Sequence, residues 1–271
     1  RPILGNPFLQ AQKNTAYEFG VKNQFSEEWA VSLVGWSKEY TGLTATEVIP
    51  AFPFTYTLSK DIDYGTARGV DVTLEKVNVL TNWAGRLTYT YSRATANRTD
   101  PWEGYRNTDT PETMPKREIV MPYDRRHQLG AYVAYRVPKD GGIPMFGYNV
   151  FNHTNWNLTY NAMSGAPYTP TIEGIPQETY SARMPWITQL NMTLLKVVKI
   201  QGLDFRFGLE IRNLFDTNNL IDVYPETGKP DDPGRRANNR IANFQNSDTV
   251  YDVPYFYGER RSIQFTTEIE F

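Results

Sequence analysis

The 271-residue sequence contains no cysteine, which excludes disulfide bonds and thiolate metal sites and leaves the redox compartment open. Histidine is almost as scarce: His127 and His153 are the only two, too few and too far apart for an imidazole metal cluster. The 28 basic residues nearly balance the 30 acidic ones, for a formal net charge of −2. Without basic runs, nothing in the chain advertises nucleic acid as a partner. No apolar run approaches the roughly 18 residues of a transmembrane helix. The opening Arg1-Pro2 lacks the charged start and apolar stretch of a signal peptide, so an exported protein with this beginning is expected to be processed or partial. Neither a G-x-S-x-G nucleophile motif nor a phosphate loop or nucleotide fingerprint occurs. We therefore expect no enzyme and no cofactor; a catalytic barrel remains an alternative without a nucleophile to carry it.

Aromatics, by contrast, are plentiful: 14% of residues, including 18 Tyr and 6 Trp. Tyrosine and tryptophan have an apolar body and a polar tip and collect where oil meets water. The mean hydropathy of −0.54 suits a barrel whose strands turn only every second residue to lipid. The last stretch, Arg260 to Phe271, shows that alternation plainly. Ile263, Phe265, Thr267, Ile269 and Phe271 alternate with Ser262, Gln264, Thr266, Glu268 and Glu270, a strand with one apolar and one polar face. The sequence stops on an aromatic, which fits a strand lying against lipid. An edge strand of a soluble β-sandwich would show the same period.

Similar alternation predicts about nine strands. They start near Asn14, Trp29, Val70, Leu87, Leu129, Trp156, Leu190 and Leu203, with the final strand last. Short turns are expected at 26–28, 78–82, 139–142 and 201–202, and long polar connections at 41–63, 96–124, 167–185 and 224–254. Strict alternation of short turns with long loops is the asymmetry of an outer-membrane barrel, and a soluble sandwich has no reason to keep its long loops at one end. On the strand from Leu203, the charges Asp204, Arg206, Glu210 and Arg212 share one face opposite Leu203, Phe205, Phe207, Leu209 and Ile211. Opposed signs there can pair across a wet lumen; a solvated sheet face is the plainer alternative.

Several segments go beyond alternation. Gly5-Asn6-Pro7-x-Leu9, followed by Thr15-x-Tyr17-Glu18-x-Gly20, resembles the GNP-x-L and T-x-YE-x-G segments of TonB-dependent outer-membrane receptors. Gly69-Val70-Asp71 is similar to a strand start in that family, and Asp124-Arg125-Arg126-His127 to its DRRH segment. Asn213-Leu214-Phe215-Asp216 matches its NLF motif, and the terminal Phe271, with Ile269, its assembly signal. The resemblance spans the whole chain and implies an all-β fold, an antiparallel transmembrane β-barrel fragment. The family's barrels have about 22 strands and enclose a plug. Residues 1–271 would then be the C-terminal portion of such a barrel, with the plug domain and the TonB box outside this sequence. An odd number of strands cannot close an antiparallel barrel.

The resemblance also implies energy-coupled uptake of a scarce nutrient. The implied partners are the outer-membrane lipid bilayer, the outer-membrane assembly machinery and TonB, with a surface lipoprotein as a further candidate. Substrate contacts are expected in the loops, at Trp102, Tyr105 and Arg106, at Tyr168, and at Arg235, Arg236 and Tyr251. Loop packing is the plainer role for each. Asp222, Glu226, Asp231 and Asp232 could offer oxygen ligands to calcium, but their spacing matches no loop signature. Four Asn-x-Thr sequons, at Asn97, Asn152, Asn157 and Asn191, read as polar patterning. A non-transporting scaffold barrel and a soluble β-sandwich adhesin are the alternative functions.

Overall fold

The computed structural model describes residues 2–107, 117–139, 141–142, 144–145, 148–234 and 252–270. Its long strands are β1 (Lys13–Gln24), β2 (Trp29–Ile49), β3 (Tyr56–Lys76), β4 (Trp83–Ala96), β5 (His127–Val137), β6 (Thr154–Met163), β7 (Ile187–Ile200), β8 (Leu203–Arg212) and β9 (Ser262–Glu270). They form one antiparallel meander in which each strand pairs with its neighbours in sequence, from β1 at one edge to β9 at the other. Ile3–Leu4 adds to β3 in parallel and Ile119–Val120 to β4, making an 11-stranded sheet. The sheet is open: among the described residues β1 and β9 do not meet. Among the described residues no second sheet of comparable size covers either face.

Directly opposed residues in an antiparallel pair share a face, so the register sorts the whole sheet. One face carries the row Val31, Leu74, Leu87, Ala131, Tyr160, Leu190 and the row Trp83, Tyr135, Trp156, Leu194, Leu209, Phe265. The other face carries Ser32, Thr73, Thr88, Gly130, Asn161, Gln189, and beyond it Lys199, Asp204, Glu270. A sheet that leaves its apolar face uncovered, with Phe265 at 77% and Phe19 at 80% exposure, is stable against hydrocarbon and not against water.

The short-turn end matches expectation at 25–28, 77–82 and 201–202. Gln201 and Gly202 have φ of 52° and 86°, the left-handed pair that a two-residue hairpin requires. Between β5 and β6 the expected turn at 139–142 is longer, running from 138 to 153 and including the ladder Pro144–Met145 with Tyr148–Asn149. At the opposite end, the predicted long connection over 41–63 is corrected. β2 continues to Ile49 and β3 starts at Tyr56, so the connection is only 50–55. Thr, Val and Ile are strand formers, and the break in alternation near Gly42 (φ 69°) is a bulge with register shifts at Thr41, Leu43 and Thr44. Pro50 and Pro53, which cannot donate to a ladder, mark the true end. The buried interior lies mostly at this loop end, around Ala45, Thr46, Glu47 and Val48 of β2 and Thr57 and Asp63 of β3.

Candidate functional site

On the polar face, side chains form a network running across the strands. The Trp36 indole lies over Gly69, where a Cβ would come within 2.4 Å of its ring. Trp36 Nε1 donates to Asp71 at 3.0 Å, and Thr90 donates to the other Asp71 oxygen at 2.7 Å. Further along, Tyr132 donates to Asn157 at 3.1 Å, and Gln189 to Asn191 at 3.0 Å. The four charges singled out on β8 are all paired on that face. Asp204 meets Lys199 at 3.2 Å, Arg206 meets Glu268 at 3.8 Å and also Glu270, and Arg212 meets Glu210 at 2.7 Å. This is how ionic groups persist on a strand wall in contact with water.

Aromatic residues collect at both ends of the apolar face. At the turn end, Trp29 meets Trp83 edge-on at 5.8 Å, and Tyr135 and Trp156 continue the band. At the loop end, His127 stacks on Trp186 at 5.8 Å and accepts or donates at 2.8 Å to the Tyr89 hydroxyl. Two aromatic bands with aliphatic residues between them are what a strand wall shows at the two interfaces of a bilayer.

The loop end is where the structure adds most to the sequence. Trp102, Tyr105 and Arg106 fall together on and beside the single-turn helix α1 (Glu103–Asn107). The helix rests on β2 through Thr46, whose hydroxyl donates to Pro101 O at 2.8 Å and accepts from Tyr105 N at 3.0 Å. Gly104 approaches so closely that a Cβ would lie 1.9 Å from Thr46 O. Beneath it, Arg98 donates to Thr46 O at 2.8 Å and faces Asp63 at 3.5 Å, while Asn97 donates to Asp63 at 2.8 Å. Buried in this way, Asn97 is a packing amide and no sequon for a glycan. Tyr168 stands apart in a small ladder, Pro167–Tyr168 against Ala182–Arg183, with its hydroxyl over Gly228 of the last connection. Arg235, Arg236, Tyr251 and Phe271 lie outside the described residues.

Sequence reasoning missed the organising role of Asp124, which is 2% exposed. Its carboxylate accepts from Ala94 N at 2.7 Å and pairs with Arg183, which also donates to Asp124 O at 3.1 Å and Gly165 O at 3.3 Å. Arg125 donates to Ser164 O at 3.2 Å. The Asp-Arg-Arg-His run thus ties the β4–β5 connection to the β6–β7 connection. The run itself was the available signal, but its partner Arg183 is remote in sequence. The NLF motif plays the same part for β8 and β9. Asn213 (φ 52°) accepts from Thr217 N at 2.8 Å and donates to Thr217 O at 2.9 Å and Glu259 O at 3.1 Å. Asp216 accepts from Arg261 N at 2.9 Å and Arg260 at 2.8 Å. These bonds, the Arg261 backbone bond foremost, hold the Asp216 carboxyl below its ordinary pKa.

Among the described residues no group of three or more histidines or carboxylates converges on a point. Asp222 accepts from Val223 N and Asp232 from Gly234 N, so both serve their own loop.

A family model described as TonB dependent receptor-like, beta-barrel, matches residues 2–214. The chain belongs to this family. Solved structures agree on the fold of this receptor barrel. The ferric-catecholate import receptor Fiu of E. coli K12 is 14% identical with a TM-score of 0.52, covering 96% of this chain and 28% of its own. The FrpB iron transporter of Neisseria meningitidis is 9% identical at 0.59, covering 99% and 33%. The E. coli outer-membrane transporter YddB is 8% identical at 0.58, covering 82% and 31%. The chain therefore spans about a third or less of each. No curated protein matches the sequence.

Proposed function

We propose that these residues are the C-terminal portion of an outer-membrane transporter that imports a scarce nutrient with energy delivered through TonB. The observation that carries this reading is a family match over residues 2–214 on a sheet with one uncovered apolar face and one paired polar face. The open edges at β1 and β9 would be completed by further strands of the same protein, since unpaired backbone in hydrocarbon costs several kcal/mol per group. A plug and a TonB box would come from the same remainder.

In this reading the short turns are periplasmic and the long connections extracellular. The cargo would meet the loops carrying Trp102, Tyr105, Arg106, Tyr168, Arg235, Arg236 and Tyr251, and the assembly machinery would read Ile269 and Phe271. Ferric chelates are the first cargo to test, because structures of similar fold are named as iron importers. A surface lipoprotein docked on the loops is a further partner to seek. The test is accumulation of a labelled ferric chelate by cells that carry or lack the full receptor, with TonB intact or deleted. Uptake that needs both supports the proposal; accumulation indifferent to the receptor and to TonB, across a panel of chelates and other scarce nutrients, overturns it in favour of a scaffold barrel.

A further inference from the structure

The row of the apolar face nearest the β5–β6 turn reads Val137, Thr154, Lys196, Phe207. Lysine on that face is out of place. Its ammonium is held at the rim by three neutral acceptors, Val150 O at 2.6 Å, Asn152 O at 3.0 Å and the Asn152 side chain at 3.2 Å. Among the described residues no carboxylate pairs with it. Carbonyl groups orient the ammonium but leave its positive charge uncompensated.

Two cavities lie at this turn. One, of about 450 Å³, is lined by Lys139, Asn152, His153, Lys196 and Lys199 among others. Lys199 is already paired with Asp204 at 3.2 Å, so among the described residues Lys139 and Lys196 supply its excess charge. The other, of about 480 Å³, is lined by Tyr135, Val137, Gly142, Phe151 and Trp156. Tyr135 and Trp156 sit one row further toward the middle of the sheet than Lys196. Phe151, Asn152 and His153 are consecutive, so one short segment walls both cavities. A basic hollow at the rim beside an apolar groove running toward the hydrocarbon has the shape and polarity of an amphiphile with an anionic head and a fatty chain.

We infer that the β5–β6 turn holds one anionic phospholipid of the periplasmic leaflet. Its phosphate lies against Lys139 and Lys196, and a chain lies in the groove beside Phe151 and Trp156. Lysines near the membrane surface attract anionic lipid headgroups. The inference rests on the outer-membrane orientation proposed above.

The test is native mass spectrometry of the full receptor in detergent, titrated with dioleoylphosphatidylglycerol or dioleoylphosphatidylcholine at matched concentrations. We expect one phosphatidylglycerol to be retained at least fivefold over phosphatidylcholine. Lys139→Gln with Lys196→Gln should abolish that preference, while Lys139→Arg with Lys196→Arg keeps it. Because Lys196 also anchors the turn, the exposed Lys139→Gln alone is the control for folding and should lower retention on its own. Equal retention of both lipids, or a preference untouched by the glutamine variants, overturns the site. Failure to retain either lipid, with the protein soluble without detergent, would instead overturn the membrane reading beneath it.

Discussion

Asn213 is 1% exposed and sits where β8 leaves the sheet, with every polar atom of its side chain engaged. Alanine there removes bonds to Thr217 and Glu259 and leaves the part-buried Thr217 N–H and Glu259 carbonyl without that partner, at about 1–3 kcal/mol for such groups. It also forfeits the tolerance of asparagine for positive φ. Asn213→Ala should therefore destabilise the full receptor by about 3 kcal/mol, read as a lower urea midpoint for loss of its folded mobility on gels. The motif was legible in the sequence as a family signature. What it does was not, because its partner Glu259 is reached only by the return of the chain 46 residues later and no local pattern encodes that distance.

At the scale of elements, the turns are held by specific pairs as well as by backbone. Glu28 in the β1–β2 turn accepts from Lys76 at 2.9 Å, Leu80 N at 2.6 Å and Thr81 N at 3.1 Å, so it staples the β3–β4 turn to its own. The Lys76 ammonium also lies 4.4 Å from the Trp83 ring, a cation–π contact. The Lys76 hydrogen bond, then the Leu80 N–H, pull the Glu28 carboxyl down to about 2 from an ordinary value of 4.5. A carboxyl depressed on folding stabilises fully above about pH 4.5, and that contribution drains away as the pH falls toward about 2. Glu28→Gln should remove this part of the acid sensitivity: its midpoint should lie below wild type at pH 7, with the gap narrowing by pH 3 and closing only near pH 2. A constant gap between the two from pH 7 to pH 3 would contradict the assignment. Turns of this kind were legible as short polar breaks. The length of β2 and β3 was not, since threonine-rich Thr41–Ile49 and its bulge at Gly42 interrupt the alternation that marks a strand. Helix α1, five residues long, is too short to leave a periodic trace.

For the whole molecule, a meander of strands with alternating faces was readable from the sequence because a period of two is set by local geometry. The register and the pairing of remote loops through Asp124 and Arg183 were not. The face assignment is the central claim, and residues 1–271 hold no cysteine of their own to confuse a single-cysteine test of it. Single cysteines placed at successive positions from 203 to 212 of β8, in the full receptor reconstituted in bilayers, would be labelled with a spin probe. Accessibility to oxygen and to a water-soluble nickel chelate would then be compared. Odd positions should favour oxygen, as groups in lipid do, and even positions should favour the nickel chelate, with the sign reversing at each residue. A uniform response along the strand, or the opposite phase, would contradict a wall with lipid on one side and water on the other.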